Sequence, residues 1–370
     1  MIFTPPPRKS TALLPSLLLL LFLTACAPAV KPQLEVFWPP PPDEPRIQFL
    51  TGFSDAKDLQ GKAAFSLISL ATGEQQELLI DKPFGLAVGP GKIYVSDTPK
   101  GKVWIIDLEK RSMAPLPGNF SRGKLSKPTN LALDAEGNLY VADTGRKEVV
   151  LFDPQGNYLN AFGPRQQITM KPVDMAVDGE RLYVADMDAS EVKVLDRRSG
   201  KLLDTLKGDE TSATDFISMP LSLAVSTKGE IHVTNGGTGR VLRLDRDGHV
   251  LHAFGGMGRS WGAFARPRGI DVDDEGKLVV VDAGHGNGQI FTNDGQLLIF
   301  FGEPGHPGGS MTLPAAVVIT RDNLDYFRPF AAPDFELEQL IFVTNQYSVK
   351  SKVGVYGVGK MKDSAAKISP

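Results

Sequence analysis

Two sets of residues in this 370-residue chain have the types and spacing to do chemistry. One is a carboxylate at the end of a repeated pentapeptide: Leu139–Asp143 and Leu182–Asp186 both read LYVAD, 43 residues apart. The matching positions elsewhere are Asp97, Asn235, Asp282 and Asn345. Such a series either holds a cation or a proton, or it caps turns by accepting from nearby backbone N–H groups. Asn does the second job well and the first badly, so two Asn among six positions argue for turn caps. The other set is histidine: His232, His249, His252, His285 and His306. Neutral imidazole is a common metal ligand. His285 in AGHGNG and His306 in GHPGG are the candidates for a bound zinc or calcium ion, set against glycine-flanked loop histidines of no special role. His232 sits inside a strand pattern, and there is no His-x-x-x-His or Glu-x-x-His spacing.

Other chemistries are excluded more firmly. Cys26 is the only cysteine, so the chain beyond it has no disulfide, no thiol nucleophile and no thiolate-bound zinc. Neither a phosphate loop nor a nucleophile–base pair stands out. These absences argue against an enzyme.

The elements that must position these residues follow one pattern used six times. Each unit opens on a proline: Pro83, Pro128, Pro172, Pro220, Pro267 and Pro314, at spacings of 45, 44, 48, 47 and 47. Periods of 40 to 50 residues with strand-type patterning mark propeller blades. In each unit a short apolar strand follows the proline, where a missing N–H costs no ladder bond. A Gly-containing turn such as Ala135–Asn138 leads to the LYVAD strand, then to a third strand (Glu148–Asp153) and a fourth (Tyr158–Gly163). Leu86, Leu131, Met175 and Leu223 precede Ala87, Ala132, Ala176 and Ala224. Successive strand residues face opposite ways, so each sheet has a bulky and a small face that nest against neighbours. The fold class is all-β: six four-stranded antiparallel blades over residues 46–360. The last unit lacks a fourth strand. Arg46–Phe53 should supply it and close the ring, since an open ring leaves bare strand edges. A seventh blade from residues 46–80 is the alternative, without the proline-led strand.

The spacing and the two submotifs together resemble NHL repeats over residues 82–359, as in six-bladed NHL propellers. The whole chain, with WPPPP, RIQFL and LIFVTNQY, is similar to bacterial lipoproteins that carry such a propeller. The resemblance implies the fold strongly and the function weakly, because propellers host binding, scaffolding, lyase and lactonase activities alike. It also implies that loops before the first strands and after the second strands share one face. That face gathers Lys127, Arg146, Lys147, Arg240, Arg266 and Arg268 on a chain of net charge −3. The charges either steer an acidic partner or fill solvated loops. No stacking aromatics accompany them, so nucleic acid is not expected. The axial channel should present Asn130, Asp174 and Ser222, with Asp271 where other blades have alanine. Such oxygens can coordinate Ca²⁺, although the acidic ligand set of gluconolactonase- and paraoxonase-like propellers is not recognisable. In the amidating-lyase branch, histidines hold a metal on the axis. The sixth unit carries an insertion, Thr320–Leu340, with Tyr326, Phe327, Arg328, Phe330 and Phe335. Aromatics and Arg are enriched at interfaces; the alternative is packing beneath the ring.

The N-terminus supplies an address. Arg8 and Lys9 precede a short apolar run, Leu13–Leu23, and Leu-Thr-Ala-Cys ends it at Cys26. This resembles the lipobox of bacterial lipoproteins, which implies that residues 1–25 are removed and Cys26 is lipidated. Ala27 beside it resembles outer-membrane sorting, facing the periplasm. Residues 26–45 hold seven prolines from Ala27 to Pro45 and are expected to form a stiff spacer. Residues 361–370 read as a disordered tail. The expected role is a lipid-anchored binding or scaffold module for an envelope protein or polymer. The alternative is a metal-dependent lyase or lactonase at the axis.

Overall fold

The structure, a computed structural model, describes residues 35–60, 78–306 and 308–362, with Met1 and Thr4 in isolation. Residues 1–25, Cys26, the first part of the spacer and residues 363–370 therefore hold expectations that lie outside the described residues, Met1 and Thr4 apart. No described helix is long and apolar enough to cross a membrane.

Six antiparallel sheets make up the fold, and five of them have four strands in sequence order. Blade one runs from Pro83 to Pro115, blade two from Pro128 to Phe162, blade three from Pro172 to Leu206, blade four from Pro220 to Gly255 and blade five from Pro267 to Phe301. Every first strand begins at its proline, as the pattern predicts. The buried residues form six clusters, and each lies between two consecutive sheets. The sixth joins Phe53, Phe327 and Phe342 to Leu86, Ile93 and Trp104, so blade six packs on blade one and the ring is closed. The alternation sets the packing direction. Leu131 packs toward blade one and Ala132 toward blade three; Leu223 packs toward blade three and Ala224 toward blade five. Near the axis there is no room for more: a Cβ on Gly85 would lie 2.2 Å from the Thr129 carbonyl oxygen of the next blade.

Blade six contains the closure. Ile47–Phe53 pairs with Val353–Met361, from Ile47 opposite Val358 to Phe53 opposite Val353, with one register shift between Phe49 and Thr51. The third strand thus reaches Met361, one residue into the segment expected as tail. The spacer expectation fails in its second half. Phe37–Trp38 pairs with Ile47 and Gln48 as a fifth strand, with Val36 and Trp38 buried. The physical reason is that Val36 and Trp38 carry apolar area that outweighs the extended preference of the prolines around them. Trp38 meets the rings of Phe301, Tyr356 and His306 at centroid distances of 6.3, 6.0 and 5.5 Å.

Candidate functional site

The pentapeptide carboxylates are turn caps. Asp143, fully buried, accepts backbone N–H groups from Ser126 (2.7 Å), Lys127 (2.9 Å), Gly145 (3.0 Å) and Arg146 (2.9 Å). Asp282 does the same with Ala265, Arg266, Gly284 and His285. The caps therefore hold both the turn that leaves the second strand and the segment that enters the blade. Asn235 accepts from Ser218 N–H (2.9 Å) and donates to the Phe216 carbonyl (2.6 Å). Asn345 likewise accepts from Thr312 and donates to Ser351. Asn replaces one acceptor with a donor and finds a carbonyl for it, which a charge-dependent role would not tolerate.

At the axis, the four polar side chains link blade to blade. Asn130 accepts from Leu86 N–H (3.1 Å) of blade one and from Leu131 (3.0 Å). Asp174 accepts from Leu223 N–H (3.0 Å), from the Ser222 hydroxyl and from Met175 N–H (2.8 Å). Ser222 accepts from Ile270 N–H (3.2 Å), and Asp271 from Ile319 N–H (2.8 Å) and Val272 N–H (2.9 Å). First strands of all six blades line a cavity of about 250 Å³, where Asn130, Asp174 and Asp271 are the polar members. Each carboxylate oxygen already accepts a backbone N–H, and burial pushes both acids up to about 7.

Those raised values predict a pH dependence. An acid whose folded-state pKa rises from the ordinary 3.8 to about 7 binds more protons when folded. Its stabilising contribution is complete below the unfolded value and is lost as pH rises through the folded one. The melting midpoint of the protein, measured relative to Asp271→Asn, should therefore fall as pH rises from about 4 to about 7 and level off above that. Parallel curves for the two proteins would show that Asp271 stays ionised. The comparison with the variant isolates this acid from His232, which burial pushes the other way, to about 4.

The basic face is partly structural. Arg146 binds Glu148 and the carbonyls of Arg122 and Lys124. Arg240 donates to the Ala253 carbonyl and lies 3.7 Å from Asp215. Arg268 lies over the Phe84 ring at 5.3 Å, and burial lowers its pKa. Lys127, Lys147 and Arg266 are exposed. His285 and His306 are not brought together into a ligand set. His285 pairs with the cap Asp282 at 3.2 Å, and His306 lies against Trp38. Among the described residues one group of three metal-binding types converges, Asp245, Asp247 and His249 on an outer turn. Of the two readings of the insertion, the structure takes packing. Phe327 is fully buried against Phe53 and Phe342, Phe335 is buried near Phe37, and Tyr326 and Phe330 are partly covered. Arg328 alone of the five is exposed, paired with Asp325.

A further concavity lies on the rim between blades five and six. It has a volume of about 910 Å³. One wall is the outermost strand of blade five, Leu297–Phe301; the other is Trp38, Pro39 and Pro40. Trp261, 75 % exposed, packs on Phe300 with the rings tilted and their centroids 4.5 Å apart. Trp38 Nε1 and Glu303 Oε2 are buried atoms with no hydrogen-bond partner among the described residues. Sequence reasoning missed this site. Trp38 precedes the repeat and Trp261 lies between the strands of blades four and five, and the available hint was an aromatic residue breaking a run of turn residues in GRSWGAF.

Comparison with known proteins agrees with the architecture. Residues 85–171 match the SMP-30/gluconolactonase/LRE-like region family. The brain tumor protein of Drosophila melanogaster is 24% identical over 139 residues, which is 36% of this chain and 13% of that one; the chain thus aligns with only a small part of this relative's length. A gluconolactonase from Xanthomonas campestris superposes with a TM-score of 0.55 at 16% identity, covering 89% of this chain and 99% of its own. Virginiamycin B lyase from Staphylococcus aureus gives 0.50 at 12% identity, with coverages of 75% and 95%. These likenesses speak to fold, and the chain is a six-bladed β-propeller of NHL-type repeats.

Proposed function

We propose that this propeller is a binding module: a lipid-anchored scaffold of the bacterial envelope, held at the outer membrane through Cys26 and facing the periplasm. One observation carries the binding reading. The axial polar residues serve as ties between blades, whereas the rim carries an apolar groove in which two buried polar atoms have no partner among the described residues. Pockets of this kind, apolar with a few convergent polar groups, are the usual binding sites of folded proteins. The envelope address rests on the sequence around Cys26.

A second reading is a metal-dependent lyase or lactonase at the axis. It draws on the family match over residues 85–171 and on two buried acids lining the axial cavity. One experiment separates the two. A photoreactive phenylalanine analogue replaces Leu298 in the groove or Arg266 on the basic face, and the protein is cross-linked in the native envelope and purified. A discrete macromolecular adduct at either position, with no stoichiometric zinc or calcium, is expected. No adduct at either position, together with a stoichiometric metal and turnover of a lactone or cyclic ester, would replace the scaffold with the enzyme.

A further inference from the structure

We infer that the rim groove takes an extended, apolar peptide segment of a partner protein, which adds as a new strand to the outer edge of blade five and places a basic side chain at Glu303. The inference rests on the binding reading above and names the partner's chemistry. Four consecutive residues of one strand, Leu297, Leu298, Ile299 and Phe300, all line the groove. Successive side chains of a strand point to opposite faces, so a cavity touching all four runs along the strand's edge rather than over one face. That edge pairs only inward, with Asn287–Phe291, and among the described residues no strand is hydrogen-bonded to its outward side. Unpaired edges template strand addition.

The opposite wall decides which edge is used. Trp38 belongs to the fifth strand of blade six, and Pro39 and Pro40 follow it. Proline has no N–H to donate, so this side offers apolar packing and no ladder. Outer strands of other blades also expose a leucine, such as Leu159, Leu203 and Leu251. Among the described residues only blade six has a fifth strand to build a facing wall. Trp261 stands at the groove as an exposed aromatic anchor, the type that dominates binding surfaces.

Charge sets the partner's polarity. The acids and bases around the groove are mostly paired: Arg46 with Glu44, Lys277 with Glu275, and Glu338 with Lys360. Glu303 has no ion pair among the described residues, and its Oε2 lacks a hydrogen-bond partner. A lysine or arginine of the peptide pairs with the half-buried Glu303 carboxylate. The five-residue strand fixes the contact at about 17 Å, or five to six residues of peptide.

The probe is a fluorescein-labelled decapeptide that alternates valine and threonine around one central lysine, titrated against the protein from residue 26 onward. Saturable binding is expected. Trp261→Ala should weaken it by about tenfold or more, as loss of an aromatic anchor does. Glu303→Gln should weaken the lysine peptide about tenfold and leave a lysine-to-threonine peptide unchanged. Methylating alternate backbone nitrogens of the probe should abolish binding if a ladder forms. Binding indifferent to methylation and to Trp261 would overturn the inference, as would no saturation. Trp261-dependent capture of oligosaccharides in place of the peptide would overturn it too. Cross-linking at residue 266 but not at 298 in the envelope would sink this groove assignment while leaving the binding module standing.

Discussion

A chain that begins at residue 54 will not hold a closed ring. Removing residues 35–53 takes away both outer strands of blade six and leaves Val353–Met361 as a bare edge. It also removes Trp38, Ile47, Leu50 and Phe53, all buried, from two inter-blade clusters. At roughly 1.5–3 kcal/mol for each buried side chain, the loss is on the order of 6–12 kcal/mol. Folded domains have about 5–15 kcal/mol in total. The expected result is therefore loss of the cooperative melt, with aggregation through the exposed edge. Adding a synthetic peptide of residues 35–53 should restore a monomer and a melting transition, because the strand's contacts do not need covalent linkage. Size-exclusion chromatography and circular dichroism read both outcomes. A truncated chain that stays monomeric and melts at the parent temperature would show that the ring closes by blade packing alone.

The second large effect is at a cap. Asp143→Ala removes the acceptor of four backbone N–H groups. Each buried donor left without a partner costs about 1–3 kcal/mol, and water reaches some of these, so a loss of at least about 3 kcal/mol is expected. Asp143→Asn should cost less than Ala, since the blades that carry Asn235 and Asn345 already use the amide. Yet it should cost more than nothing, because both oxygens of Asp143 accept N–H groups and an amide keeps only one of them as an acceptor. Urea unfolding of the three proteins tests the order. Equal stability for the Asp, Asn and Ala forms would mean that the pentapeptide is repeated for some reason other than capping.

The contrast between these two cases shows what was readable along the chain. Asp143 lies within 17 residues of each of its donors, and the same arrangement recurs with every blade, so type and spacing sufficed to identify the cap. The same holds for the proline-led strands and for the large–small alternation of Leu131 and Ala132, which set the packing direction. Even the long-range pairing of Arg46–Phe53 was legible, because the sixth unit lacked a strand and only one apolar segment remained to supply it. The axial residues were placed correctly near the axis, but their use was not. Asp174 and Asp271 serve neighbours about 48 residues away, and only the closeness of the inner strands makes those backbone N–H groups their partners.

The insertion in blade six shows the limit. Its aromatics have the composition of an interface and equally that of a core, and composition alone does not say what covers them. Contact with Phe53 and Phe342 decided it. The groove shows the same limit more sharply. Trp38 lies in a proline-rich stretch that reads as a spacer, and it packs on Phe301 and Tyr356, roughly 260 and 320 residues further along the chain. Periodicity in the sequence determined the repeated, local part of this protein: six blades, their caps and the direction in which they nest. The tertiary structure alone decided the fifth strand, the groove beside it and the fate of the axial acids. The reason is that these depend on single contacts between distant segments, which occur once and so leave no repeating mark.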